Sequence, residues 1–192
     1  MLGLINRSIQ NFLTDTHGVE VWRRVAARLG LSAVGFEPML KYEKGQSLKL
    51  IEAACAELGR SRTDLLEDLG TYLATREPVR RLLRYGGYDY TDFLNTLDDL
   101  HDRARMALAD LDLPELSLET LDDGEYRLRV AGRLPGWATV FSGILRAMAD
   151  DYGVLALIES EENGEIVSIR LLDSSYAKGR NFALSRPLEG NL

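Results

Sequence analysis

The sequence predicts an α+β domain: a helical amino-terminal part, then an antiparallel sheet of about four strands that carries one inserted helix. Three observations lead there. Over most of the first two-thirds of the chain, apolar residues recur at three- and four-residue steps, punctuated by glycines. Beyond Pro114 the apolar period shortens toward two. Two turn signals, Asp122-Asp123-Gly124 and Asn163-Gly164, then separate runs of strand length.

The elements follow in order. Leu4–Leu13 is a short amphipathic helix that ends before His17-Gly18, and Val19–Leu29 is a second, closed by Gly30. Ser32 to Ser47, with Gly35, Pro38 and Gly45, reads as irregular. Leu48–Leu58 is a third helix stopping at Gly59, and Asp64–Leu73 a fourth with Leu65, Leu66, Leu69 and Leu73 apolar. A brief segment, Val79–Leu83, precedes the turn Gly86-Gly87. One long amphipathic helix is then expected from Tyr90 to Leu108.

Leu116–Leu121 and Glu125–Val130 pair as a hairpin around Gly124. Trp137–Tyr152 returns to helical spacing, with Phe141, Ile144, Leu145 and Met148 apolar, and Gly153 closes it. Val154–Glu159 and Ile166–Leu172 form the second hairpin. The tail from Asp173 is rich in Ser, Gly, Arg and Asn, and reads as poorly ordered or as a partner-contacting extension. One domain is therefore expected over residues 1–172, its helical lobe reaching about residue 65, with 173–192 a polar tail.

Composition narrows the function. A net charge of −7 argues against nucleic acid or an anionic membrane as the main partner. The single cysteine, Cys55, excludes an intramolecular disulfide and a cysteine metal cluster, and its helical run makes it a core residue. The opening Met1-Leu-Gly-Leu-Ile-Asn-Arg7 has no charged leader before a long apolar run, and no window approaches the roughly 20 apolar residues of a spanning helix. A cytoplasmic protein is expected. A phosphate-cradling glycine loop, a histidine pair at metal spacing and a nucleophile–base arrangement are all missing, so catalysis is not expected.

The residue that asks most of its surroundings is His101. Phe93, Leu97, Leu100, Ala104 and Leu108 share one helical stripe, and His101 lies four residues after Leu97 and three before Ala104. An imidazole aimed into an apolar interior is hydrogen-bonded, neutral, or bound to something. Asp98, Asp99 and Asp102 crowd it in sequence but fall on a solvated edge. His17, before Gly18 at a helix junction, reads as structural or exposed, and Trp22 and Trp137 as packing residues.

Four segments together resemble the H-NOX family, the haem-binding nitric-oxide and oxygen sensor domain shared by bacterial stand-alone proteins and the β subunit of soluble guanylate cyclase. They are Met1–Asn6 with His17–Trp22; Phe93-Leu-Asn-Thr-Leu-Asp-Asp-Leu-His101; Pro114, thirteen residues further on; and Val140-Phe-Ser-Gly-Ile-Leu-Arg-Ala-Met-Ala149. The resemblance covers roughly residues 1–172. It implies that the second lobe, 66–172, is the haem-proximal one, that the cofactor is haem b (iron protoporphyrin IX), that His101 is the proximal iron ligand, and that Pro114 packs on the porphyrin. Ile5, Val140, Phe141, Ile144 and Leu145 would line the pocket.

The chain departs from the family at the propionate clamp. A Tyr-x-Ser-x-Arg motif is replaced here by Arg129-Val-Ala131-Gly-Arg133. Strand alternation places Arg127, Arg129, Ala131 and Arg133 on one face, so Arg129 and Arg133 become the candidate propionate ligands, with a solvated arginine face as the alternative reading. Val140 stands where oxygen-binding members carry a tyrosine, which implies a nitric-oxide sensor that rejects oxygen, with carbon monoxide as a second diatomic ligand. By resemblance, loosening of the His101 bond would relax strain held at Pro114 and alter a partner, either a signalling histidine kinase or a cyclic-di-GMP enzyme. The other reading is a degenerate member of the same fold, an interaction module that has lost haem or binds another apolar ligand.

Overall fold

The computed structural model describes residues 3–43, 45–85, 87–107, 113–122, 124–161 and 164–173. Its order is α1 (Leu4–His17), α2 (Val19–Arg28), α3 (Gln46–Leu58), α4 (Arg62–Thr75), α5 (Glu77–Arg84), α6 (Tyr90–Asn95), α7 (Leu100–Ala107), β1 (Glu115–Asp122), β2 (Glu125–Ala131), α8 (Trp137–Tyr152), β3 (Leu155–Ser160) and β4 (Ile166–Asp173). The predicted fold class holds: helices first, then one antiparallel sheet in the order β1-β2-β4-β3, with α8 inserted between its two hairpins.

Alternation along the strands decides which sheet face is covered. Tyr126, Leu128 and Val130 of β2, Ile158 of β3, and Val167 and Ile169 of β4 are all buried. Helix α8 lies against this face and also against α4, so it is apolar on both sides: ten of its residues are buried, from Ala138 to Ala149. The α4–α8 crossing joins the amino-terminal helices to the sheet.

The ends of α4, α6 and α8 follow local chemistry. The Ser61 hydroxyl accepts from the Asp64 N–H at 3.0 Å and starts α4. The Asp89 carboxylate accepts from the Asp92 N–H at 2.8 Å and starts α6. Gly153, in the left-handed region at φ 69°, stops α8 where the sequence predicts.

The long Tyr90–Leu108 helix is not continuous. It breaks into α6 and α7 around residues 96–99. The Thr96 hydroxyl donates to the Phe93 carbonyl at 2.8 Å, and the Arg103 guanidinium donates to the Thr96 carbonyl at 2.7 Å. The Asp98 carboxylate leaves the helix to accept from the Leu118 N–H of β1 at 2.7 Å. Thr, Asn and Asp compete with the helical ladder through such bonds, and tertiary partners here complete the break. Phe93, Leu97, Leu100 and Ala104 are still buried, but the restart turns His101 to a half-buried position. Leu108, Asn163 and the tail beyond Asp173 lie outside the described residues.

Tyr90 ties α6 to α8. Its buried hydroxyl donates to the Leu145 carbonyl at 3.0 Å, and burial pushes the phenol well above the ordinary tyrosine range. Tyr72 is also pushed up, to about 12, by burial and by its 2.6 Å hydrogen bond to Asp15. Both raised values make folding strongest below the unfolded tyrosine pKa of about 10, with the contribution lost as pH rises above it. Tyr90→Phe is therefore expected to lower stability by roughly 1 kcal/mol at neutral pH and to flatten its decline between pH 10 and 12. Urea titrations at both pH values would measure this, and an unchanged alkaline slope would remove Tyr90 from the account.

Candidate haem site

Between α1, α4, α5 and α8 the fold leaves an apolar cavity of about 200 Å³ that opens to solvent. Ligand sites run to roughly 300–1,000 Å³, so a cofactor would have to part these walls or extend into the open mouth. Helix α1 contributes Leu4, Ile5, Ser8 and Ile9; α4 contributes Leu66, Leu69 and Leu73; α5 contributes Val79, Leu82 and Leu83. Helix α8 contributes Trp137, Val140, Phe141 and Ile144. Leu100 and Leu113 complete the wall on the side of α7. The lining side chains that carry a donor are Ser8, Ser47 and Trp137, and the Ser47 hydroxyl donates to the buried Asn6 carboxamide oxygen at 2.5 Å.

Of the residues singled out from sequence, Ile5, Val140, Phe141 and Ile144 share this cavity. Leu145 does not: it is fully buried, behind the lining. His101 and Pro114 stand just outside the wall, each next in sequence to a lining residue, Leu100 and Leu113. Their mutual geometry is specific. His101 Nδ1 lies 3.3 Å from the Pro114 carbonyl oxygen. A carbonyl only accepts, so Nδ1 must carry the hydrogen, and in the neutral ring Nε2 keeps its lone pair. That is the tautomer an imidazole needs to ligate a metal through Nε2. Pro114 is itself buried, and Gly132 makes room beside it: a methyl there would come within 3.0 Å of Pro114 Cβ and 2.6 Å of Trp137 Cδ1.

A second, more polar groove adjoins the cavity mouth and shares Leu66, Leu134, Pro135, Gly136 and Trp137 with it. Arg133 lines this groove together with Arg62, Thr63, Thr139 and Glu165. Arg129 lines neither space; it is exposed, on the face of β2 opposite Leu128 and Val130. The strand alternation that put Arg129 and Arg133 on one face ends with β2 at Ala131, and Arg133 belongs to the connection that follows. An apolar slot, an imidazole in the metal-binding tautomer beside its wall and guanidinium groups at its mouth form a donor set that fits haem with its carboxylates toward solvent.

The contributions of α4 and α5 were not singled out from sequence. Their signal, Leu at three- and four-residue steps, is the same for a packed core as for a cavity wall. Trp137 likewise lines the cavity where a packing role was expected, whereas Trp22 is a packing residue, buried with its indole N–H donating to the Ala33 carbonyl at 2.9 Å. His17 is half-buried, edge-on to Phe12 at 5.6 Å, in keeping with a structural role. Among the described residues no group of three His, Cys, Asp or Glu side chains could hold a bare metal ion.

The chain is similar to known proteins over most of its length. Residues 2–159 match the haem-NO-binding family. The chain is 26% identical over 179 residues to soluble guanylate cyclase gcy-31 of Caenorhabditis elegans, and 22% identical over 183 residues to soluble guanylate cyclase 89Da of Drosophila melanogaster. These alignments cover 92% and 90% of this chain but 24% and 27% of those proteins, so it spans about a quarter of their length. In fold it is similar to an H-NOX protein from S. oneidensis in the Fe(II)NO state, with a TM-score of 0.75 and 15% identity, covering 90% of this chain and 100% of that one. An unliganded Fe(II) H-NOX protein from K. algicida superposes with a TM-score of 0.70 and 19% identity, over 92% and 99% of the two chains.

Proposed function

The chain belongs to the haem-NO-binding family, and from that premise we propose that it is a non-catalytic haem sensor of nitric oxide that signals to a partner protein. The observation that carries this reading is the His101–Pro114 pair at the wall of the apolar cavity. When bound, haem would supply an iron able to take up a diatomic gas. His101 would hold it from the α7 side through Nε2, with the ring oriented by the Pro114 carbonyl. Pro114 immediately precedes β1, so any change in the imidazole's position is passed by that hydrogen bond to the edge of the sheet. The sheet is the surface through which a partner would sense it.

Ligand choice rests on the α8 wall. Val140, Phe141 and Ile144 present only hydrocarbon, and a donor is what bound dioxygen requires for its partial negative charge. Nitric oxide needs none. Ser8 and Trp137 are the lining donors that could reverse this preference. The partner is of the signalling class, a histidine kinase, a cyclic-di-GMP enzyme, or a nucleotide cyclase like those of the named relatives. Among the described residues no helix is long and apolar enough to cross a membrane, in keeping with the cytoplasmic location we propose.

The test is spectroscopic. Protein purified from haem-replete cells is expected to show a Soret band that shifts when nitric oxide meets the ferrous form and stays put under air before autoxidation. A stable oxygen complex would overturn the gas selectivity. Colourless protein that also fails to take up added haem would overturn the sensor and favour a degenerate interaction module.

A further inference from the structure

The geometry points to Arg62, on the helical lobe, as the propionate-binding cation that stands in for the missing phenol and hydroxyl of the family clamp; the assignment rests on the haem reading above. The polar groove is continuous with the cavity mouth through the rim Leu134-Pro135-Gly136. Carboxylates of a ligand seated in the cavity therefore emerge at that rim. Two arginines line the groove, Arg133 from the connection after β2 and Arg62 from the first turn of α4. Against these two cations the groove carries one carboxylate, Glu165, which leaves it a positive balance.

Arg62 is already held at the rim. Its Nη2 donates to the Pro135 carbonyl at 2.9 Å, and the same nitrogen would lie 3.7 Å from a methyl placed on Gly136. A guanidinium has five N–H donors in a planar fork, so one bond to Pro135 leaves others for a carboxylate. Thr63, next along α4, adds a hydroxyl to the same groove. Arg129, which sequence alternation nominated, faces away. The clamp has thus moved from one strand to two lobes, with Arg62 and Arg133 contributed by segments about seventy residues apart in sequence. A cofactor held this way bridges α4 to the β2–α8 connection.

The experiment loads the full chain with haem, adds an excess of a haem-scavenging apoglobin and follows the Soret band. Loss of a charge-assisted contact predicts that Arg62→Gln releases haem about tenfold faster than the parent chain, with Arg62→Lys in between and Arg129→Gln unchanged. The same series is then run with haem dimethyl ester, whose propionates are capped. There Arg62→Gln and the parent should release the ester at equal rates. An unchanged rate with free haem overturns the assignment. Equal acceleration with both ligands also overturns it, because the residue would then act only through Pro135. A parent chain that takes up no haem overturns the sensor reading itself.

Discussion

Replacing His101 by alanine is expected to remove haem from the purified protein, with absorbance and gas response restored by added imidazole. The chain has two histidines, and the other, His17, sits at the end of α1 against Phe12. No other imidazole can take the place of His101. Losing an outer hydrogen-bond partner of a metal ligand costs roughly 10–100-fold in metal affinity or activity, and losing the ligand itself should exceed that. The position should tolerate truncation, because His101 is only half-buried and its Nδ1 hydrogen bond runs to the Pro114 carbonyl, at the start of a sheet edge. A folded variant, checked by circular dichroism, should therefore remain soluble and colourless. Exogenous imidazole can enter the space the side chain leaves and ligate iron without reconnecting it to Pro114. The rescued protein should accordingly bind nitric oxide but fail to signal, since the free ring is tied neither to α7 nor to the Pro114 carbonyl that precedes β1. If His101→Ala keeps its haem without imidazole, the iron ligand lies elsewhere.

The sequence made the framework of this site legible because framework follows local rules. Helix α8 was read to the residue, Trp137–Tyr152, since its apolar period is regular and Gly153 stops it. Regularity marks Val140, Phe141 and Ile144 as apolar positions, and the family resemblance is what points them to a pocket, where they line the cavity. What was not legible depends on contacts between distant segments. The Tyr90–Leu108 run looked continuous because its stripe is nearly regular, but Asp98 found a donor on β1 twenty residues away and the helix broke. Arg62 carries no signal in the sequence, because its partner Pro135 is 73 positions distant. The leucines of α4 and α5 gave no sign of facing space rather than side chains, since periodicity reports that a face is apolar and not what lies against it.

The second large effect concerns the α4–α8 crossing on which the cavity depends. A methyl placed on Gly70 would lie against the Val140 carbonyl oxygen, 2.9 Å from the Val140 carbonyl carbon and 3.1 Å from the Ile144 nitrogen. A methyl on Gly143 would meet the Glu67 carbonyl oxygen, 2.9 Å from its carbon and 3.0 Å from the Thr71 nitrogen. Each glycine thus admits the backbone of the other helix, and the obstacle in both cases is main chain that no rotamer change can move. Alanine gains up to about 1 kcal/mol over glycine in helix propensity, whereas overpacking a close-packed contact costs typically 1–3 kcal/mol and occasionally more. Because the neighbours are rigid, the second effect should win. Gly70→Ala and Gly143→Ala are each expected to destabilise the protein by roughly 2 kcal/mol, measured by urea unfolding of the haem-free chain. The two sites share one crossing, so once α8 has lifted off α4 to admit the first methyl, the second finds part of its room already made. The double variant should then cost less than the sum of the singles. The same lift would separate Leu66, Leu69 and Leu73 from Val140, Phe141 and Ile144, which are opposite walls of the cavity, and haem should be held more loosely in each variant. Singles as stable as the parent would show that the helices can part freely. Strict additivity in the double would show that the two contacts yield independently, and the crossing would then not act as a single rigid unit.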